Sequence, residues 1–334
     1  MAEVKLPFDT NPILTTYHHL AHPLGIIGGN IPDQSIWFPW LAHKYINCEY
    51  HSGSGGSFKL YTIDSFFLND HVVDQIEFRI RDVTYEKLFG DSGKHFIEQI
   101  KAVLSKGLYI QGHFNERYIS VMPSYQRKDF RHDYLLYGYS DSSKCFYSAG
   151  YTSGGKYREY EIPFCEYYQS IFQPAYNKMP LRFISFNEDK IYKTSYSVVL
   201  RDLNHYLNST AYKGENNDTT FYGISVWEKL IDYLTAADYI DIRFTKVFME
   251  YHKLMNMRFE YFAKEGVISQ TLCHQYDQAL KYATQSYLLS MKYNLSRRPN
   301  TKEDCITAVR SVIDMDKAIF PLIIAQIEEK TSVN

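Results

Sequence analysis

No two cysteines in this chain stand close enough to form a CxxC pair: Cys48, Cys145, Cys165, Cys273 and Cys305 are scattered and odd in number. That spacing excludes a complete disulfide framework and a thiolate zinc site, and suits a reducing compartment. Long apolar runs are missing too. No stretch approaches the roughly 18 uninterrupted apolar residues of a membrane span, and the opening MAEVKLPFDTNP lacks the apolar run of a signal peptide. A cytoplasmic protein without membrane association is therefore expected. An excess of charge is also absent: 36 Lys and Arg stand against 38 Asp and Glu, a net −2. No bulk positive field exists to draw nucleic acid, and none is expected as a partner. No internal repeat and no low-complexity tract occurs.

What the chain does have is a core-forming composition, with 45% hydrophobic and 22% charged residues, so it is expected to fold rather than stay disordered. Its 334 residues suggest two domains. Tyrosine is over-used, at 31 residues. A phenol carries a large apolar body and one polar tip, which favours core packing and half-buried surfaces over a dedicated binding face.

Pro12 opens an expected first helix from Ile13 to Ile27, ended by Gly28, Gly29 and Asn30, with Pro23 expected to kink or shorten it. A Trp/Pro-rich turn, Ile31 to Trp40, precedes a second short helix over Leu41 to Tyr50, and HSGSGGS from His51 reads as a loop lacking the Lys of a phosphate cradle. Strands are expected at Phe58 to Thr62 and Phe78 to Arg81, and an amphipathic helix at Lys94 to Leu104. The period then switches to two, giving strands at Leu108 to Phe114, Tyr118 to Val121, His132 to Tyr139, Cys145 to Ala149 and Tyr157 to Ile162. A helix at Pro163 to Ile171 and a strand at Leu181 to Ser185 follow. From Ser195 the pattern is helical throughout. Gly266 stops one stripe, Arg297 to Asn300 breaks the next, Thr301 with Asp304 opens the last helix, and Pro321 is expected to kink or split it.

The stretch Tyr125 to Tyr151, YQRKDFRHDYLLYGYSDSSKCFYSAGY, is the most informative. His132 heads a strand, so hairpin backbone fixes its imidazole, and a reference pKa near ~6.5 suits a general base at neutral pH. The pattern H-D-x-L-L-Y-G-Y, an acidic turn and F-Y-x-A-G-Y resembles the papain-like domain of the butirosin-biosynthesis acyltransferase type. Relatives of that domain act in thiotemplated peptide pathways such as closthioamide assembly. The resemblance covers roughly residues 10 to 185. It implies an α+β fold, with N-terminal helices packed on an antiparallel sheet over residues 1–187; outside the resemblance, the helical pattern of residues 188–334 is read as an all-α bundle. It further implies transfer of an acyl group from a carrier-protein thioester to an amine acceptor, with His132 as base. The substrate would arrive on the phosphopantetheine arm of an acyl or peptidyl carrier protein, and no cofactor of the chain's own is expected.

The chain departs from that pattern where the nucleophile belongs. The family's cysteine sits at the N-terminus of the first helix, where the helix dipole lowers the thiol pKa. Here the region reads NPILTTYHHLAHPLGII, without cysteine and without the glutamine that precedes it in papain-like enzymes. About seventeen residues beyond His132, where the family often places an orienting Asp, stand Ala149 and Gly150; Asp133 and Asp141 are nearer in sequence and are the candidate acids. Three readings follow. Cys48 supplies the thiol, against its ordinary reading as a small buried apolar side chain. His18, His19 and His22 join His132 in a base-only site. Or the domain is a non-catalytic relative that holds a carrier protein or pathway partner. A peptidase using the same residues ranks last, because it needs the missing nucleophile most.

The histidines also have a metal reading. His18 and His22 share a helix face, and His113 and His132 add possible ligands from strands, although His19 stands where an HExxH motif needs glutamate. Packing or surface histidines are the commoner outcome, and no metal is expected. Lys292, Arg297, Arg298 and Lys302 form a small basic patch, read as a solvated loop or as a dock for an acidic carrier protein.

Overall fold

The computed structural model describes residues 2–52, 66–68, 78–84, 96–172, 180–187, 193–210 and 219–332. They combine α-helices with a largely antiparallel arrangement of strands, and fall into two compact units: one within Met1–Ile36 and His71–Ile191, the other within Trp37–Asp70 and Tyr192–Asn334.

The first unit is built on one antiparallel sheet. Its strands are β1 (Glu3–Lys5), β4 (Phe78–Thr84), β5 (Tyr109–Asn115), β6 (Arg131–Ser140), β7 (Cys145–Tyr151), β8 (Tyr157–Pro163) and β9 (Pro180–Phe186), in the order β4-β9-β5-β6-β7-β8, with β1 paired to the end of β6. β6 is central and both of its faces are covered. Tyr134 and Leu136 join Phe96, Ile100 and Leu104 of helix α3 (Phe96–Leu104) and Tyr167 and Ile171 of α4 (Phe164–Ile171). Leu135 and Tyr137 turn the other way, to Ile26 of α1 (His18–Asn30). Alternation along the pleat thus feeds two cores, and the strand reads as one buried run rather than as half-polar.

Several expectations are corrected here. α1 starts five residues later than expected and runs through Pro23, Gly28 and Gly29 to Asn30. Gly28 and Gly29 thus lie inside the helix, and Asn30 is its last residue. A Cβ on Gly25 or Gly29 would collide with Phe8, so their lack of a side chain lets the N-terminal segment cross closely. The expected turn after α1 contains α2 (Gln34–Leu41), with Pro39 inside it, and the expected second helix gives way to strand β2 (Cys48–His51). The expected strand Tyr118 to Val121 is not formed: a short 3-10 turn, Glu116–Tyr118, follows β5, capped by the Asn115 side chain, which accepts from the Arg117 N–H. The expected strand Phe58 to Thr62, the loop beyond Ser52 and the first residues of the expected helix from Lys94 lie outside the described residues.

The second unit carries α5 (Tyr196–Leu207), α6 (Ile224–Ala236), α7 (Ile242–Lys264), α8 (Gln270–Ser296) and α9 (Pro299–Ser332). It also holds a small antiparallel sheet of β2 flanked by β3 (Phe66–Leu68) and β10 (Thr220–Tyr222), so the C-terminal part is not helical throughout. α8 packs on α7 and α9, and α9 also packs on α5 and α6. α9 begins at Pro299, ahead of the expected Thr301 cap, and Pro321 does not split it. One buried polar cluster gathers side chains from all five helices. The Asp316 carboxylate accepts from the hydroxyls of Tyr206 and Tyr276 (3.0 Å for the latter), Trp227 Nε1 donates to Tyr206 (3.0 Å), and His252 Nδ1 lies 2.8 Å from the Tyr276 hydroxyl. Arg258, fully buried, donates to the carbonyls of Ala42 and Lys44. Among the described residues no helix is long and apolar enough to cross a membrane.

Candidate functional site

His132 is the second residue of β6, and the preceding turn fixes where it stands. Asn115, at the end of β5 and 2% exposed, accepts from the Phe130 N–H (3.1 Å) and donates to Asp129 (2.8 Å), while the Glu116 N–H donates to the Phe130 carbonyl (2.9 Å). These bonds lock the exit from β5 against the entry to β6. They deliver the Glu116 carboxylate to the His132 ring, whose Nδ1 lies 2.5 Å from Glu116 Oε1. Glu116 is buried although it is a carboxylate. A buried carboxylate is tolerated when it is hydrogen-bonded and paired, and here the imidazole is its partner. The sequence reading missed this residue. Its signal was the polar Asn115-Glu116 step at the end of a strand that pairs with the head of β6, Phe114 standing opposite His132.

α1 brings the second set of groups. Its first residue is His18, whose ring stacks on His132 with centroids 4.6 Å apart and planes at 18°. One helical turn on, His22 stacks on the other side of His18 at 4.7 Å. The three imidazoles form a continuous stack along the helix face that meets the sheet. His18 Nδ1 contacts the Asp133 carbonyl at 3.0 Å and His22 Nε2 the Ala149 carbonyl at 3.2 Å. A carbonyl can only accept, so both nitrogens carry the proton, and the lone pairs lie on His18 Nε2 and His22 Nδ1. Those two atoms are buried with no hydrogen-bond partner among the described residues. Gly150 makes the close approach possible, since a Cβ there would stand 2.8 Å from His18 Nε2.

Burial sets the charge states. It pushes His18 down to about 4 and His22 down to about 3, in the second case helped by the neighbouring His18, so both rings are neutral at pH 7. Asp133 experiences the opposite balance: burial raises its pKa, but His18, His132 and His22 together hold it down at about 2. Its carboxylate lies 3.9 Å from His18 Nδ1.

The other residues singled out in the sequence are dispersed. His19 is exposed and stacks on Tyr17 at 5.5 Å. Asp141 follows the far end of β6, where it pairs with Lys101 at 2.7 Å. Nine residues of extended chain, about 30 Å, separate it from His132, so it does not orient that ring. Cys48 belongs to the second unit, in β2 rather than in a helix. It is fully buried, its thiol donates to the Gly223 carbonyl (3.3 Å), and burial, then Asp316 and Glu49, push its pKa well up, which makes it a poor nucleophile. Of the two cysteines in the first unit, Cys145 pairs with Ser140 at the end of the β6–β7 hairpin remote from His132, and Cys165 is exposed on α4. His113 lies across the ladder from Asp133. In the basic patch, Lys302 donates to the carbonyls of Thr235 (2.7 Å) and Ala237 (2.9 Å), capping the end of α6, and Arg297 donates to the Asp238 carbonyl. Two of its four cations thus serve the helix junctions.

In comparisons with known proteins, no family model matches the chain and no curated protein gives a significant match.

Proposed function

We propose that the chain transfers an acyl group from the thioester of an acyl or peptidyl carrier protein to an amine, in a papain-like first part followed by a helical bundle, with His132 as general base. The observation that carries this reading is the His132–Glu116 pair set beside the first turn of α1. An imidazole that gives its Nδ1 proton to a buried carboxylate takes up the next proton at Nε2, and the carboxylate stabilises the imidazolium that results. The first turn of a helix directs backbone N–H groups and a positive dipole end outward, which suits the oxyanion of acyl transfer.

His18 stands at the first helical residue, where the resembled family carries its thiol. The step that needs no thiol is direct aminolysis. The amine nitrogen attacks the thioester carbonyl, His132 Nε2 takes the amine proton, the C–S bond breaks, and the phosphopantetheine sulfur leaves as a thiolate that regains the proton. His18 and His22, neutral at pH 7, add no positive charge beside the base. The reaction needs no cofactor beyond the arm that carries the substrate, and a cytoplasmic setting would supply both carrier and acceptor.

The test mixes the full chain with an acyl-loaded carrier protein and an amine acceptor, and follows the amide by mass spectrometry. Wild type forms product, and His132→Ala lowers its rate by about 10²- to 10⁴-fold. Equal turnover by the two proteins contradicts the assignment. A second reading, a binding protein that holds a loaded carrier without consuming it, is favoured by the imidazole in the thiol's place. It predicts recovery of intact acyl-carrier in a pull-down and no amide.

A further inference from the structure

We propose that His18, His132 and Asp133 form a binding site for a divalent first-row transition metal ion. The site goes beyond the acyl-transfer reading and stands on its own geometry. One ligating atom from each of the three residues lies within 4.8 Å of the other two. Two imidazoles and a carboxylate are a ligand set for such cations, and three protein ligands leave a coordination position open, as catalytic rather than structural sites do.

The second observation is how the histidines are held. A metal-ligating histidine characteristically gives its other ring nitrogen to a carboxylate or a backbone carbonyl. His132 Nδ1 is on the Glu116 carboxylate, and His18 Nδ1 is on the Asp133 carbonyl. His22, stacked behind His18, repeats the device on the Ala149 carbonyl. His18 is 6% exposed and its Nε2 is a buried lone pair without a partner among the described residues. Leaving such an atom unsatisfied is costly, and a bound cation removes that cost. Neutral imidazoles and an ionised carboxylate are also the protonation states that ligands require.

The rings of His18 and His132 lie nearly parallel, so their lone pairs lie in near-parallel planes rather than converging on one point. Zinc–ligand bonds of about 2.0–2.2 Å bring ligand atoms to within about 3.5 Å of each other. Loading therefore tilts at least one ring toward the other, with its Nδ1 hydrogen bond as the pivot. A cation bonded to His132 Nε2 also removes that nitrogen as a base, so loading and base catalysis by His132 exclude each other.

The experiment is calorimetric titration of the untagged full chain, first stripped with chelator, with Zn²⁺ and with Co²⁺. One equivalent binds, and Co²⁺ gives the visible absorption of a low-symmetry nitrogen–oxygen site. Asp133→Asn and His18→Gln each weaken binding at least tenfold, whereas His274→Gln, at an exposed histidine on α8, leaves it unchanged. Zinc K-edge X-ray absorption of the loaded wild type reports two imidazoles, and decides the matter if a variant fails to fold. Binding that survives both site variants, binding lost with His274→Gln, absence of stoichiometric binding, or an absorption edge without imidazole scattering would each overturn the site. None of these outcomes depends on acyl transfer, so failure of one proposal is distinguishable from failure of the other.

Discussion

Replacing Glu116 by alanine leaves the His132 Nδ1–H without its carboxylate and opens a polar gap at a buried position. Loss of a hydrogen bond to a charged group costs about 1.5–3 kcal/mol, and chemical denaturation should show a loss of that size. Long-range ¹⁵N–¹H NMR should show His132 as the Nδ1–H tautomer in wild type and as a mixture in Glu116→Ala. At Gly150, alanine places a Cβ 2.8 Å from His18 Nε2 and forces the imidazole stack to shift. Overpacking of this kind costs about 1–3 kcal/mol. Much of it should vanish in a His18→Ala background, so a double-mutant cycle with no coupling would contradict the packing described. At this scale the sequence showed His132 and His18 but hid Glu116. Both the carboxylate's burial and its aim come from a ladder pairing, Asn115 opposite Arg131, that local pattern does not reveal. Nearness in sequence does not make Asp141 a partner of His132, because a strand carries nearby residues apart: Asp141 ends on Lys101 at the other end of β6, whereas Asp133 stays 3.9 Å from His18 Nδ1.

Among the elements, α1 matters most, because its register sets which side chain meets His132. Gly29→Ala collides with the backbone of Phe8, which no side-chain rotation can relieve. By contrast, an alanine Cβ at Gly107 meets nothing within 4 Å, although a φ of +77° strains it there. Gly29→Ala is therefore expected to cost more than the roughly 1 kcal/mol typical of a left-handed glycine replaced by alanine, as measured by urea unfolding of both variants. Strands from β5 to β9 and the helices α3, α4, α7 and α8 were legible to within a few residues, since each writes its own period. α2 stands where the sequence suggests a turn, and β2 where it suggests a helix. β2 is held by Thr220–Tyr222, some 170 residues on, and by Phe66–Leu68. The start of α1 was misplaced because Pro12 suits a helix opening, while the chain delays the helix to His18.

Across the whole molecule, the second unit buries two titratable groups whose effects on pH stability oppose each other. Burial lowers His252 to about 3, so the unfolded chain binds a proton there that the fold lacks, and stability falls as pH drops below about 6.5. Burial raises Asp316 to about 7, so the fold binds a proton that the unfolded chain lacks, and stability falls as pH rises from about 4 toward 7. Between about pH 4 and 6.5 the two slopes offset each other. Asp316→Asn removes one of them. Its stability relative to wild type should rise with pH by about 1.4 kcal/mol per unit across that window, and a flat difference would show that Asp316 is not held protonated.

As proposed above, His132, held by Glu116 beside the start of α1, is the base of an acyl transfer. Single-turnover aminolysis of an acyl-loaded carrier, followed across pH 5 to 9 for wild type and Glu116→Gln, tests it most directly. The claim predicts a wild-type rate that rises through one ionisation to a plateau, and a plateau in Glu116→Gln lower by about 10- to 1000-fold, since an imidazole that loses its carboxylate is a weaker base and is held less well. Superimposable profiles for the two proteins would contradict it.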